Sequence, residues 1–161
     1  MDEVVAEAIH AWRYEGAYAV YNMGSDDGDK TEGMAELLDR RSPYYVVRDE
    51  QGELVGFFNV GTSALVWGSN KPSIYVEDQT IAIGLGMRPI ATGKGMGLAF
   101  VQACLDFARQ EFAPEHFRLY VFPWNARAIR VYERAGFQRV RIFLQHTIHG
   151  EREFLEMSRD A

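Results

Sequence analysis

The chain has 161 residues, 47% of them hydrophobic and 25% charged, the size and composition of one compact domain with a real core, so residues 1–161 read as a single domain. A formal net charge of −6 argues against a phosphate backbone as the main partner, because that binding needs clustered Lys and Arg; no nucleic-acid partner is expected. The acidity suits a cationic substrate such as an amine, although acidity for solubility is the more ordinary reading.

The start Met1-Asp2-Glu3 has no basic stretch before an apolar run of signal-peptide length. No later segment approaches the roughly 18 to 20 apolar residues of a membrane span, so a cytoplasmic protein with no membrane partner is expected. In residues 2–12, Val5, Ala8, Ile9 and Trp12 recur at steps of three and four, which predicts a short amphipathic helix. Tyr14, Tyr18 and Tyr21 follow, then a Gly- and Asp-rich stretch over residues 24–30 that reads as a loop. Residues 44–47 and 54–60 are rich in β-formers and flank Asp49-Glu50-Gln51-Gly52, the pattern of an antiparallel hairpin. A further strand over residues 80–87 ends before Pro89. The period then changes, with Leu98, Val101, Leu105, Ala108 and Phe112 forming the stripe of an amphipathic helix. The one cysteine, Cys104, lies in that helix; it excludes an internal disulfide and has no Cys or His neighbours at ligand spacing, so no metal is expected.

Residues 117–122 read as a buried strand and 125–135 as a helix stopped by Gly136. Residues 140–147 and 153–157 read as two strands turning at His149-Gly150. Helices between strands, with an early hairpin, predict a mixed sheet in an α/β protein.

Thr92-Gly93-Lys94-Gly95-Met96-Gly97 falls between a predicted strand and a predicted helix, where unpaired backbone N–H groups and the positive end of the helix dipole converge. Three glycines let the backbone approach an anion, and Lys94 adds charge at the rim. A P-loop would need Gly where Arg88 stands and Ser or Thr where Gly95 follows Lys94. A dinucleotide fingerprint fails because Pro89 and Leu98 occupy the third glycine position of the two Gly-x-Gly pairs. On the glycines alone, a tight structural turn and an anion cradle both remain.

The run Met87-Arg88-Pro89-Ile90-Ala91-Thr92-Gly93-Lys94-Gly95-Met96-Gly97 resembles the main motif of the GCN5-related N-acetyltransferase (GNAT) family, Arg/Gln-x-x-Gly-x-Gly/Ala. A second run, from Asn125-Ala126-Arg127-Ala128-Ile129 through Tyr132 to Gly136-Phe137, resembles the family's Asn, helix, Tyr-x-x-x-Gly-Phe motif in the correct order. The resemblance covers about residues 80–140. It departs at Thr92, which stands where the family has Arg or Gln; a short hydroxyl cannot supply that long donor, so pyrophosphate binding is expected to lean on backbone N–H groups and Lys94.

The resemblance implies a GNAT acyl-CoA N-acyltransferase fold, a single N-acetyltransferase domain with a mixed, mostly antiparallel sheet flanked by helices. Its opening strand is expected to be missing or supplied by other segments. It implies acetyl-CoA as co-substrate, an amine as acceptor, and strands ending at Met87 and Phe122 that splay to admit the cofactor. It places the CoA arm and phosphates against Leu85, Gly86, Met87, Thr92, Gly93, Lys94, Gly95, Met96, Gly97 and Asn125, and makes the Tyr132 hydroxyl the catalytic acid at the thioester sulfur. The seven-residue spacing of Asn125 and Tyr132 is close to two helical turns and puts both on one face. Asn125 also reads as an ordinary N-cap, and Tyr132 as a core aromatic. No base is assigned: residues 80–87 contain no titratable group, and Glu77, Asp78 and His116 read more readily as loop or surface residues. Trp12, Tyr14, Tyr18 and Tyr21 read either as core or as the lining of an acceptor pocket. A homodimer is left open by the sequence. The competing reading is a non-catalytic acyl-CoA-binding or sensing module.

Overall fold

The computed structural model describes residues 1–23, 30–41, 43–66, 75–77, 79–147 and 150–161. Helix α1 (Glu3–His10) opens the chain, with the Asp2 carboxylate accepting from the Val5 N–H at 2.9 Å as its N-cap. A 3-10 turn (Gly16–Tyr21) and helix α2 (Lys30–Leu38) follow. The hairpin is β1 (Tyr44–Arg48) and β2 (Leu54–Val60), as its turn chemistry predicts. Then come β3 (Tyr75–Glu77), β4 (Thr80–Met87), α3 (Gly97–Phe112), β5 (His116–Val121), α4 (Ala126–Arg134), β6 (Gln138–Thr147) and β7 (Gly150–Asp160). The predicted loop over 24–30 lies, but for Lys30, outside the described residues, as do Asp78 and His149. Among the described residues no strand precedes α1, so the sheet begins with the hairpin.

Six strands run in the order β1-β2-β4-β5-β7-β6, and β3 pairs with the start of β4. Every pairing is antiparallel except that of β4 with β5. The alternation of side chains along the strands divides the apolar residues between two layers. On one face Phe58, Ile81, Ile83, Phe117, Leu119, Val121, Leu155 and Met157 pack under Val101, Leu105 and Ala108 of α3 and Ile129 of α4. On the other, Tyr44, Val46, Leu54 and Phe57 meet Val5 and Ile9 of α1 and Leu37 of α2. The α3 stripe read from its three- and four-residue spacing is the stripe that is buried. Among the described residues no helix is long and apolar enough to cross a membrane.

The pairing of β4 with β5 covers only Thr80, Ile81 and Ala82 against His116, Phe117 and Arg118. Beyond it β4 stays paired with β2 through Met87, and β5 stays paired with β7 through Val121. The sheet therefore forks in the middle while both arms remain hydrogen-bonded on their outer sides.

The β2 side of the fork is fixed by a close approach at Gly56, opposite Met87. A Cβ there would lie 2.4 Å from the Phe100 ring and 2.7 Å from the Gly86 carbonyl oxygen, and the latter is backbone that cannot swing away. Gly56→Ala should lower stability by roughly 1–3 kcal/mol, the usual cost of overpacking. Urea denaturation should show a lower midpoint with an unchanged slope; an unaltered midpoint would mean that the arm relaxes freely.

Candidate functional site

The fork opens into a cavity of about 520 Å³. Residues 83–87 form one wall, residues 119–121 the other, and the α3 and α4 N-terminal regions the rim. The Arg88 N–H donates to the Val55 carbonyl at 2.9 Å. Alternation along the strand then turns the N–H and C=O groups of Leu85 and Met87 away from β2, into the fork where no strand meets them. Gly86 faces the other way, pairing with Phe57, and contributes its lack of a side chain: a Cβ would lie 2.3 Å from the Phe57 ring.

At the mouth, Gly93 and Gly95 have φ of +76° and +81°, a backbone form that favours glycine, with open space where a Cβ would point. Met96 provides no side-chain cap to α3. From Gly93 to Ala99 no backbone N–H finds an acceptor among the described residues; the ladder resumes where the Phe100 N–H donates to the Met96 carbonyl at 3.0 Å. This is a cluster of free donors at the positive end of a sixteen-residue helix. Thr92 does not join it, because its hydroxyl donates to the Pro89 carbonyl at 2.8 Å.

On the opposite rim Asn125 is buried and does two things. Its Oδ1 accepts from the Ala128 N–H at 3.1 Å, capping α4, and its Nδ2 donates to the Tyr21 hydroxyl at 2.9 Å. Tyr132 stands two turns further on; burial pushes its phenol well above the ordinary tyrosine range, with Tyr21 and Cys104 adding to the rise. Cys104 itself is buried and pushed up to about 12 by burial, which leaves it a protonated core thiol.

The segment before β1 crosses the fork as a strap. The Tyr14 hydroxyl donates to the Met87 carbonyl at 2.7 Å on the β4 side, and Tyr21 meets Asn125 on the β5 side. Tyr21 packs on Phe122, and Tyr18 packs edge-on against Trp124, with ring centroids 5.6 Å apart in both pairs. Arg127 lays its guanidinium 4.4 Å from the Tyr18 ring centre.

These two ordered motifs on a forked sheet are matched by comparison with known proteins: residues 6–137 fit the model of the Acetyltransferase (GNAT) family. The chain belongs to the GNAT family. It is 36% identical over 112 residues to streptothricin acetyltransferase of Streptomyces lavendulae, a match covering 70% of this chain and 53% of that protein. It is 39% identical over 95 residues to mycothiol acetyltransferase of Propionibacterium freudenreichii, covering 59% of this chain and 27% of that one. The matched part thus spans about half of the first relative and about a quarter of the second. In fold it is similar to spermidine N-acetyltransferase of Vibrio cholerae, solved in complex with CoA and spermine (TM-score 0.74, 17% identity, covering 99% of this chain and 92% of that one).

Within this GNAT fold, Leu85, Gly86, Met87, Thr92, Gly93, Gly95, Gly97, Asn125 and Tyr132 all line the one cavity. Lys94 and Met96 do not; both side chains are exposed at the rim. Tyr14, Tyr18 and Tyr21 line the cavity, whereas Trp12 stacks on Phe57 at 6.0 Å and packs with the α1 layer. His116 is exposed beside Asp160, 3.1 Å away, at the closed end of the β4–β5 pair. The Glu77 side chain and Asp78 lie outside the described residues. Three polar lining residues were not singled out from the sequence: Tyr120, Arg127 and Arg134. Arg127, Val131 and Arg134 recur at steps of four and three, one row of α4, and that spacing was the available signal. Glu156, buried on the face of the sheet that carries Tyr120, is held by Arg118 at 3.1 Å and Arg141 at 2.8 Å, so its charge is committed. No Asp, Glu or His lines the cavity among the described residues.

Burial pushes the Tyr14 phenol up to about 12, with Arg127 opposing the rise. The folded state therefore holds this proton more tightly than the unfolded chain, whose tyrosines titrate near 10. The corresponding stability is fully present below pH 10 and is lost as pH rises toward 12. Urea midpoints measured across that window should fall, and Tyr14→Phe should make the fall shallower; an identical slope in the variant would show that the strap does not shelter Tyr14.

Proposed function

We propose that the protein transfers the acetyl group of acetyl-CoA directly to a primary amine, with both substrates bound at once in the fork. The observation that carries this reading is the fork itself: an apolar slot between two strands, walled on one side by backbone groups that no strand meets and ending at a cluster of free N–H groups at the start of α3. That geometry fits an acyl-CoA, whose arm carries two amides and whose other end carries a pyrophosphate.

In this reading the N–H groups from Gly93 to Gly97 hold the pyrophosphate. Leu85 and Met87 pair with the amides of the arm, in the manner of an added strand. Met87 can do so while Tyr14 is bound, since a carbonyl oxygen has two lone pairs. Arg134, in the α4 row that passes Gly97 at Val131, supplies the cation that Thr92 lacks; a Cβ on Gly97 would lie 3.1 Å from the Val131 Cγ2.

The bound thioester supplies an activated acyl carbon. The amine nitrogen forms the new C–N bond as the C–S bond breaks. Tyr132, neutral because its burial resists ionisation, donates its proton to the departing sulfur. The proton lost by the amine leaves through the open mouth, and Tyr132 is reprotonated from solvent. We further propose that residues 1–161 act as one domain and carry this whole site.

Tyr132→Phe should lower kcat by about 10²-fold while leaving the CoA dissociation constant within about twofold, because the hydroxyl contributes to the leaving step and little to binding. Arg134→Ala should show the reverse, weakening CoA about tenfold with kcat retained. Thiol release and calorimetry measure the two quantities. Equal turnover in Tyr132→Phe would remove that residue from the chemistry. Calorimetry showing no CoA binding at millimolar concentration would sink the reading, and tight binding with no turnover on any amine would favour an acyl-CoA sensor.

A further inference from the structure

We propose that Arg127, with Tyr14, Tyr18 and Tyr21 around it, is an acceptor subsite that takes a carboxylate, so that the acceptor is an amine carrying a carboxylate rather than a polycation. This rests on the acetyl-transfer reading above and concerns which amine is used.

Four observations converge on it. First, Arg127 lies in the first turn of α4, where the helix N-terminus already presents positive charge and where a cation costs roughly 0.3–1 kcal/mol. That turn contains no acidic residue. A side chain placed against its local preference, on the wall of a cavity, is the kind of exception expected at a functional site.

Second, the exposed Arg127 side chain places its guanidinium carbon over the Tyr18 ring, 4.4 Å from the ring centre. A guanidinium has five N–H donors and no acceptor capacity. Among the described residues no carboxylate pairs with it. A planar donor fork left without a carboxylate partner matches a carboxylate in bidentate geometry.

Third, the position separates it from the CoA phosphates. Arg127 and Arg134 are seven residues apart on α4, about 10 Å along the axis, so one arginine cannot serve both ends. Arg127, on α4, meets the strap at Tyr18, between Tyr14 and Tyr21, which tie Met87 and Asn125 across the fork. The strap comes from the α1 and α2 layer, opposite the face covered by α3 and α4.

Fourth, with Arg134 given to the CoA phosphates, Arg127 is the cation that remains on the described wall, and no described carboxylate or imidazole lines it. A polyamine would meet like charge there without a counter-ion. A carboxylate on the acceptor would complete Arg127 and use the helix N-terminus as well.

The test is thiol release from acetyl-CoA by the full chain with three sets of acceptors: the twenty free amino acids, their carboxamides, and spermidine. The expected result is turnover with at least one amino acid, falling at least about tenfold in kcat/KM for its carboxamide, and weaker still with spermidine. Arg127→Ala should raise the acceptor KM at least about tenfold while calorimetry gives an unchanged CoA dissociation constant, and Arg127→Lys should recover only part of the loss. Preference for spermidine or for the carboxamides overturns the subsite and leaves acetyl transfer standing. A loss of CoA affinity in Arg127→Ala with acceptor KM unchanged also overturns it, by assigning the arginine to the cofactor. Absence of turnover with every amine defeats both proposals together.

Discussion

The structure depends on a hydrogen-bond ladder that stops early. After Ala82 and Arg118 the two central strands no longer pair, yet each remains tied to its outer neighbour, so the separation cannot be closed by a slide of one strand without breaking β2–β4 or β5–β7 pairing. A break in the middle of a sheet exposes backbone groups whose desolvation without partners costs about 1–3 kcal/mol each. An open sheet of this kind is tolerable because the gap opens to solvent, and in the proposed reading a ligand with its own amides satisfies the same groups. The chemistry expected of the cavity thus follows from a deficit in the sheet.

Both ends of the gap are held by features that act at the same moment as structure and as potential ligand contacts. At the mouth, the left-handed glycines and the uncapped start of α3 leave seven consecutive N–H groups without protein acceptors among the described residues. At the inner rim, Asn125 spends its oxygen on the α4 cap and its amide on Tyr21. Removal of that side chain therefore disturbs helix initiation, the strap and the cavity wall together, and an effect on activity in such a variant does not by itself make Asn125 a catalytic residue.

Much of this was legible in the sequence, for physical reasons that differ by element. The α3 stripe and the hairpin were legible because burial on one face imposes a period and because Asp49 and Gly52 fit their turn. The glycine run and the Asn125 to Gly136 helix were legible as ordered motifs, and the structure brings nine of the eleven residues singled out from them and from β4 and α4 onto one cavity. Lys94 and Met96 were not separable from their neighbours by pattern, because alternation in a glycine loop follows no fixed period. Helix α2 was missed since Gly33 interrupts its propensity. In the structure that glycine sits against the His10 ring, 3.1 Å from where a Cβ would be, so the helix is stabilised by its approach to α1 rather than by its own residues. The fork was not legible at all from residues 80–87 and 116–121, since a strand that loses its partner halfway has the same alternation as one that keeps it.

Thr92 shows how a departure from a family pattern is better judged in the structure than in the motif. Read in the sequence, it is a missing donor. In the fold its hydroxyl closes the turn on Pro89, which fixes the path from β4 into the glycine run, while the positive charge lies across the gap on α4. In the proposed reading, placing the cation on a helix separates two tasks that a long side chain in the loop would combine, shaping the turn and neutralising the anion. It also ties the proposed anion site to the position of α4, and α4 is positioned by Asn125, by Val131 against Gly97, and by Ile129 in the core. The same helix carries Tyr132 and Arg127. Under the proposed acetyl transfer, one rigid element thereby sets the register between the cofactor end, the leaving-group proton and the strap, and small rotations of α4 would change all three in concert.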